Sequence, residues 1–271
     1  MAIAGILMVG YVLFIQRKKI QIKSQDVYLF FLLGLLNIYL TNVFEFWGLR
    51  YLTSFKTCFI YSLSPFISAL FSYFLLNELM TTKKWIGMCV GVIGLLPILL
   101  MDNTASEELS GRFFYFNWAE IAVMAAAVCS VYGWILLRRL VSREGYTPFV
   151  ANGVSMLIGG AMALVHSFFV EDWNPLPVTD MLPFLEWTVF LMIVSNLMAY
   201  NLYGILLRRY TATFLSFAGF TTPLFAAFFG WYFRDEAITW TFYVSIVTLF
   251  FGLFLFHQEE LRQRGVVAQL A

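Results

Sequence analysis

Charge is scarce in this chain. Asp, Glu, Lys and Arg together make up 12% of its 271 residues, against 61% hydrophobic residues, and so little charge cannot wet the surface of a soluble fold. Most of the chain must therefore face lipid, and no nucleic-acid partner is expected. Cysteine is rare too: Cys58, Cys89 and Cys129 all fall inside apolar runs, none paired at metal-ligand spacing, so they read as buried packing residues. His166 and His257 lie near opposite faces of the bilayer and cannot share a metal or a base. No glycine loop followed by Lys and Ser or Thr is present, which leaves an ATP-driven step within this chain unsupported. With no catalytic constellation and no cofactor or metal site to be expected, an enzyme is not expected and stands as a weaker reading than a carrier, and the energy for any work must come from gradients.

What the chain has in abundance is long apolar runs. A helix crossing about 30 Å of hydrocarbon needs roughly 20 residues, slightly fewer where flanking groups snorkel. Nine runs qualify: 1–16, 27–49, 55–76, 85–101, 118–137, 148–170, 182–207, 214–233 and 240–256. They are continuous and do not alternate with period two, which excludes a β-barrel. The expected fold is all-α and polytopic.

Charge placement orients these spans. If the loop from Arg17 to Lys23 faces the cytoplasm, the cytoplasmic side collects thirteen of the basic residues, including Lys83, Lys84, Arg138, Arg139, Arg143, Arg208, Arg209 and Arg262. The outside receives four: Arg50, Lys56, Arg112 and Arg234. The C-terminus then lies inside, in a bacterial inner membrane.

The chain is also duplicated. Asn77-Glu78 and Asp235-Glu236 stand 158 positions apart, and at the same ungapped offset Ser64-Pro65 meets Thr222-Pro223, Arg50 meets Arg208 and Gly94 meets Gly252. Five crossings separate matched segments, so each is inverted relative to its partner, the pattern of secondary transporters. The expected organisation is a first membrane repeat over 1–101 with four visible spans, an outer acidic loop over 102–117, a second repeat of five spans over 118–257 and a cytoplasmic tail over 258–271. The first repeat is one span short. Either a helix upstream of Met1 is lost, or the protein has nine spans and an external N-terminus; a signal peptide is the weaker explanation.

Gly48-Leu49-Arg50-Tyr51, Tyr61-Ser62-Leu63-Ser64-Pro65, Leu75-Leu76-Asn77-Glu78 and Lys84-Trp85-Ile86-Gly87 resemble the first-half signature of the drug/metabolite transporter superfamily, EamA-like branch. Phe220-Thr221-Thr222-Pro223 with Asp235-Glu236 is similar to its second-half counterpart. The resemblance covers essentially the whole chain. It implies two inverted five-helix repeats, alternating access around a central cavity, and a small organic metabolite as cargo. More loosely, the chain resembles the S-adenosylmethionine carriers within that superfamily; an amino-acid-like solute, or drug or amino-acid export, remains open, and a homodimer is compatible with it. A channel would share the polar stripes and duplicated halves but would show no counter-transport.

The residues themselves indicate a site. In the second span Asn37, Thr41 and Glu45 recur every four positions with Asn42 beside them, a polar stripe that should face a cavity. An unpaired carboxylate in hydrocarbon costs at least about 2 to 3 kcal/mol, so Glu45 needs a cation or a proton. It serves a cationic substrate or proton coupling, or it pairs with Arg50 or Lys56 near the interface. In the seventh span Asn196, Tyr200 and Tyr203 share a face, with Asn201 adjacent, suited to bonding and stacking a heterocycle or amine, or to gluing helices together. Tyr61, Ser64, Trp134 and Thr221 complete the expected substrate-binding set, between the second, third, seventh and eighth spans. Asn152 is a further candidate. Pro65 and Pro223 lie mid-helix and are expected to bend gating helices, with Glu78 and Glu236 capping the helices that follow.

Overall fold

The computed structural model describes residues 1–17, 20–52, 57, 60–76, 80–100, 118–171, 173, 178, 180–222, 224, 225, 228, 229, 232 and 240–270. Among the described residues the chain forms nine helices and no strand. In chain order they are α1 (Ala2–Ile15), α2 (Ser24–Leu49), α3 (Ser64–Leu76), α4 (Thr82–Leu100), α5 (Trp118–Arg143), α6 (Pro148–Val170), α7 (Met181–Leu206), α8 (Ala212–Thr221) and α9 (Trp240–Leu270). Four of them, α2, α5, α6 and α7, and the Tyr243–Gln263 stretch of α9 are long and apolar enough to cross a membrane. The pair at Asn77-Glu78, the pair at Asp235-Glu236, Pro223, Cys58 and the acidic loop over 102–117 lie outside the described residues.

The duplication reappears in the helix boundaries. The α4 and α9 helices begin at Thr82 and Trp240, which are 158 positions apart. The α2 and α7 helices each contain a π-helical stretch, Gly34–Leu40 and Met192–Ala199, whose first residues are again 158 apart. Such stretches are rare and cluster at functional sites.

Local signals explain several ends. Thr147 caps α6, its hydroxyl accepting the Val150 N–H at 3.3 Å, and Pro148 follows where a missing N–H costs nothing. Pro65 is not mid-helix as expected. The chain is helical at Ile60 and Tyr61, turns at Ser62 and Leu63, and restarts at Ser64, so Pro65 occupies the first turn of α3. Proline fits there because first-turn N–H groups have no intrahelical partner, so the helix is interrupted where a kink was expected. In the second half α8 tightens into a 3-10 turn over Gly219–Thr221, in the register of that first break.

The ninth helix extends past its apolar run. The run was expected to end at Phe256 with a tail beyond, and the helix continues through that tail to Leu270. Glu259 and Glu260 are 7% and 2% exposed, so the first turn past the apolar run is packed and the helix has no reason to stop. Cys89 is exposed and Cys129 half-buried, where burial was expected; a thiol is apolar enough to face hydrocarbon.

The chain compacts into two units. Unit one is residues 1–46 and 128–211, and unit two is residues 47–127 and 212–271, so each draws helices from both sequence halves. Within unit one α1 and α6 are in close contact. A Cβ on Gly5 would meet Gly153 O at 2.8 Å, and one on Gly160 would meet Ala2 N at 2.7 Å. As numbers rise along α1 they fall along α6, so these helices are antiparallel. Ala4, Met8, Ile38 and Met156 form the core around them.

Unit two repeats the arrangement with α4 and α9. A Cβ on Gly87 would lie 2.8 Å from Gly252 O, one on Gly252 2.6 Å from Gly87 O, and one on Gly94 2.7 Å from the Thr248 Cβ. This pair too is antiparallel, and its members are counterparts at the offset of 158. The inversion expected from counting crossings is therefore visible as a direct contact between a helix and its own duplicate. Lipid tails are as apolar as leucine, so such association rests on close packing, which only glycine permits at this distance. Phe217, Phe220, Leu249 and Phe256 fill the adjoining core.

Candidate functional site

Unit one holds most of the expected site. The polar stripe of α2 is in place, with Asn37 1% and Thr41 7% exposed and Asn42 and Glu45 half-buried. The π-helical stretch shifts its carbonyls out of the α ladder, and neighbouring side chains take them up. The Thr41 hydroxyl donates to Leu36 O at 2.8 Å and the Asn42 amide donates to Ile38 O at 2.6 Å. The Asn42 amide also lies 3.8 Å from the Met1 sulfur, so its N–H donors are engaged within unit one. The Asn37 Oδ1 atom is buried with no hydrogen-bond partner among the described residues, and its Cβ packs where a side chain on Gly133 would otherwise be.

The same device recurs in α7. The Asn201 amide donates to Leu197 O at 2.8 Å, and Asn201, like Asn42, is the second residue after its π-helical stretch. The second stretch spans eight residues and the first seven, which is why an ungapped comparison pairs Asn42 with Tyr200 and hides this equivalence.

Aromatic rings gather beside it. The Trp134 ring on α5 lies 5.0 Å from that of Tyr200 and 4.1 Å from that of Tyr203, tilted by 43° and 37°. One helical turn separates the two tyrosines, so both meet one indole. The Glu45 carboxylate is close enough to Tyr200 to interact with it electrostatically. Trp134, Tyr200 and Tyr203 thus meet as three aromatic rings, and Glu45 lies within electrostatic range of Tyr200, all four half-buried.

Asn201 and Asn196 sit differently. They are 3% and 8% exposed. The Asn201 amide also lies 3.0 Å from the Met8 sulfur, and the Asn152 amide donates to Tyr200 O at 2.9 Å and to Asn201 Oδ1 at 3.4 Å. This network ties α1, α6 and α7 behind the tyrosines and fixes the backbone that carries them. Asn152 thus stands behind Tyr200, and the Met8 contribution had no sequence signal, since a thioether in an apolar run looks like filling.

Tyr61, Ser64, Pro65 and Thr221 belong to unit two. Tyr61 precedes the break before α3, Ser64 opens α3, and the Thr221 hydroxyl donates to Ala218 O at 2.8 Å within the 3-10 turn. All but Pro65 are half-buried.

The basic loops of unit one converge on Tyr146, which no motif marked. Its hydroxyl donates to Asp26 Oδ2 at 2.8 Å and accepts the Lys23 N–H at 3.0 Å, while Arg208 donates to Tyr146 O at 2.8 Å. Lys23 also lies 3.6 Å from Glu144. Three loops that charge counting assigned to one face do meet at one end of the unit.

Comparison with known proteins agrees with this architecture. The EamA-like transporter family matches residues 1–100 and 117–257. The chain belongs to that family. This EamA-like protein is 39% identical over 269 residues to the S-adenosylmethionine/S-adenosylhomocysteine transporter of Chlamydia muridarum, covering 99% of this chain and 84% of the relative. It is 38% identical to the protein of the same name from Chlamydia trachomatis serovar L2, covering 98% and 81%. The uncharacterized transporter YoaV of Bacillus subtilis is 25% identical, covering 90% and 80%. A crystal structure at 18% identity superposes with a TM-score of 0.73 over 94% of this chain and 83% of its own, which shows the shared fold. The EamA-like chain is thus a multi-pass membrane transporter of small molecules and not an enzyme.

Proposed function

We propose that this transporter exchanges S-adenosylmethionine for S-adenosylhomocysteine by alternating access across a bacterial inner membrane, with its C-terminus in the cytoplasm. The observation that carries the reading is the meeting of Trp134, Tyr200 and Tyr203, with Glu45 in electrostatic range of Tyr200, in a chain 38–39% identical to transporters of that name. The chemistry fits. An adenine ring stacks on aromatic faces, and a sulfonium is a soft cation attracted both to the face of an indole and to a carboxylate. The Asn42 carbonyl oxygen would accept from an amino group, and Asn152 would hold Tyr200 in place. Thirteen basic residues on one side against four on the other support the orientation. Pro65 and Pro223 remain the proposed gating positions, and the helix break at Ser62-Leu63 and the 3-10 turn at Gly219–Thr221 supply places where the backbone has few helical bonds to lose during closure.

The test is exchange in proteoliposomes loaded with unlabelled S-adenosylhomocysteine. Uptake of labelled S-adenosylmethionine should saturate and should depend on the internal load. Uptake independent of internal solute would mean a channel, and saturable uptake of an amino acid with no response to either adenosyl compound would replace the substrate.

A further inference from the structure

Unit two carries a groove of about 470 Å³ where α4 begins and α9 leaves its apolar run. Its wall is apolar: Ile86, Leu255 and Leu261 line it, and Ile86 and Leu261 are 50% and 53% exposed. Its rim is basic, formed by Lys83 and Arg262 with Gln258 between them in sequence terms on α9. Between the two cations lies Glu259, whose side chain is 8% exposed, against 67% for Lys83 and 69% for Arg262.

The charges here do not satisfy one another. Lys83 and Arg262 stand 4.0 and 3.8 Å from the Glu259 carboxylate, beyond the roughly 2.7–2.9 Å of a charge-assisted hydrogen bond. Among the described residues neither makes a hydrogen bond, so the ammonium and guanidinium donors remain unspent. One carboxylate facing two cations leaves a positive excess. The adjoining Lys84 and Glu260 are buried at 3% and 2% exposure and cancel in net charge. The first turn of α4 carries no acidic residue, so its own side chains leave the positive end of the helix dipole uncompensated.

We propose that this groove binds an anionic phospholipid from the leaflet that the basic loops face, with its phosphate between Lys83 and Arg262 and an acyl chain along Ile86, Leu255 and Leu261. A free phosphate would use the rim but leave the apolar wall open, whereas a lipid satisfies both at the depth where hydrocarbon gives way to headgroups. Basic pockets between helices on the cytoplasmic side are suited to such lipids. Glu259 lies between the two cations, 4.0 and 3.8 Å from them, and competes with the phosphate for their charge without consuming their donors. This assignment is independent of the cargo carried in unit one.

The experiment is native mass spectrometry of the full chain with phosphatidylglycerol or phosphatidylcholine, paired with thermal melts in the same lipids. Each basic residue is expected to contribute about fivefold, so the wild type should retain phosphatidylglycerol roughly twentyfold over phosphatidylcholine. K83Q and R262Q should each lose about fivefold of that preference and the double variant nearly all of it. E259Q should strengthen it, because the competing carboxylate is gone. An undiminished preference in both single variants would overturn the proposal, as would an E259Q variant that loses the preference, which would mean that the ion pairs matter only to folding. Millimolar inorganic phosphate should neither compete nor raise the melting temperature; if it reproduces the lipid effect, the site is for a free anion and the lipid assignment fails.

Discussion

Trp134 on α5 and Tyr203 on α7 lie with ring centroids 4.1 Å apart at 37°. The Trp134 indole is thus the ring that both tyrosines share, and a stacked ligand would lie against this group. Trp134→Ala should raise the KM for S-adenosylmethionine about tenfold, the size of a stacking or cation–π contact of ~1–2 kcal/mol, with expression unchanged. Trp134→Phe should recover most of it. Initial uptake rates across substrate concentrations in proteoliposomes check this.

Glu45 should distinguish the two adenosyl compounds. Glu45→Gln keeps the shape and removes the charge, so uptake of the sulfonium substrate should weaken by about tenfold, ~1–2 kcal/mol, while the thioether product is affected far less. Competition of each unlabelled compound against the other in the variant provides the ratio. An equal loss for both would assign Glu45 to proton coupling or to the fold.

Asn152 and Asn201 should behave as one unit. Their side chains meet at 3.4 Å, both buried, on α6 and α7. A double-mutant cycle with alanine at each, read by thermal unfolding in detergent, is expected to give a coupling of roughly 0.6 to 1.7 kcal/mol. Asn152→Ala should also lower transport through the released Tyr200 backbone, at nearly unchanged folded yield.

Two glycines should differ sharply. A Cβ on Gly252 would lie 2.6 Å from Gly87 O and 2.9 Å from Gly91 N, whereas one on Gly219 has nothing within 4 Å. Gly252→Ala must push α4 and α9 apart and is expected to cost about 1–3 kcal/mol, seen as a fall in melting temperature. Gly219→Ala should leave the melting temperature within a degree or so of wild type, since no contact is disturbed.

Tyr146 should give the fold an alkaline limit. Burial pushes its phenol above the ordinary value, the Lys23 N–H pulls it down, and the hydrogen bond and charge of Asp26 and the charge of Glu144 raise it. A raised value means that the fold prefers the neutral phenol. Its stabilisation is complete below the ordinary tyrosine value of about 10 and is lost as pH rises through the higher folded value. Thermal melts from pH 7 to 11 should show wild type declining at the alkaline end, with Tyr146→Phe less stable at neutral pH and declining less steeply.

Much of this architecture was legible in the sequence. The helix 148–170 was bounded correctly because Thr147-Pro148 is a strong local start signal, and the inverted halves followed from an odd number of crossings between matched residues. The roles of Tyr200, Tyr203 and Trp134 were half legible: spacing put the tyrosines on one face, but only packing could bring an indole from another helix to both. What the sequence hid was non-local or sub-helical. A π-helical stretch has no compositional mark, so the shared duty of Asn42 and Asn201 stayed concealed by a one-residue difference in length. Tyr146 looked like an ordinary loop residue because its partners come from positions 23, 26 and 208. That α9 runs on through the tail was not legible, because the burial of Glu259 and Glu260 comes from packing and not from their residue type.

The contact of Gly87 with Gly252 has a consequence for how such a protein can change over time. After a duplication each copy usually drifts alone, but here one copy packs directly against the other, with a Cβ on either glycine falling within 2.8 Å of the opposite backbone oxygen. Added bulk at 252 has to be matched by keeping 87 and 91 bare, so the two halves of the gene are held to a common history at these positions long after the rest of their likeness has faded.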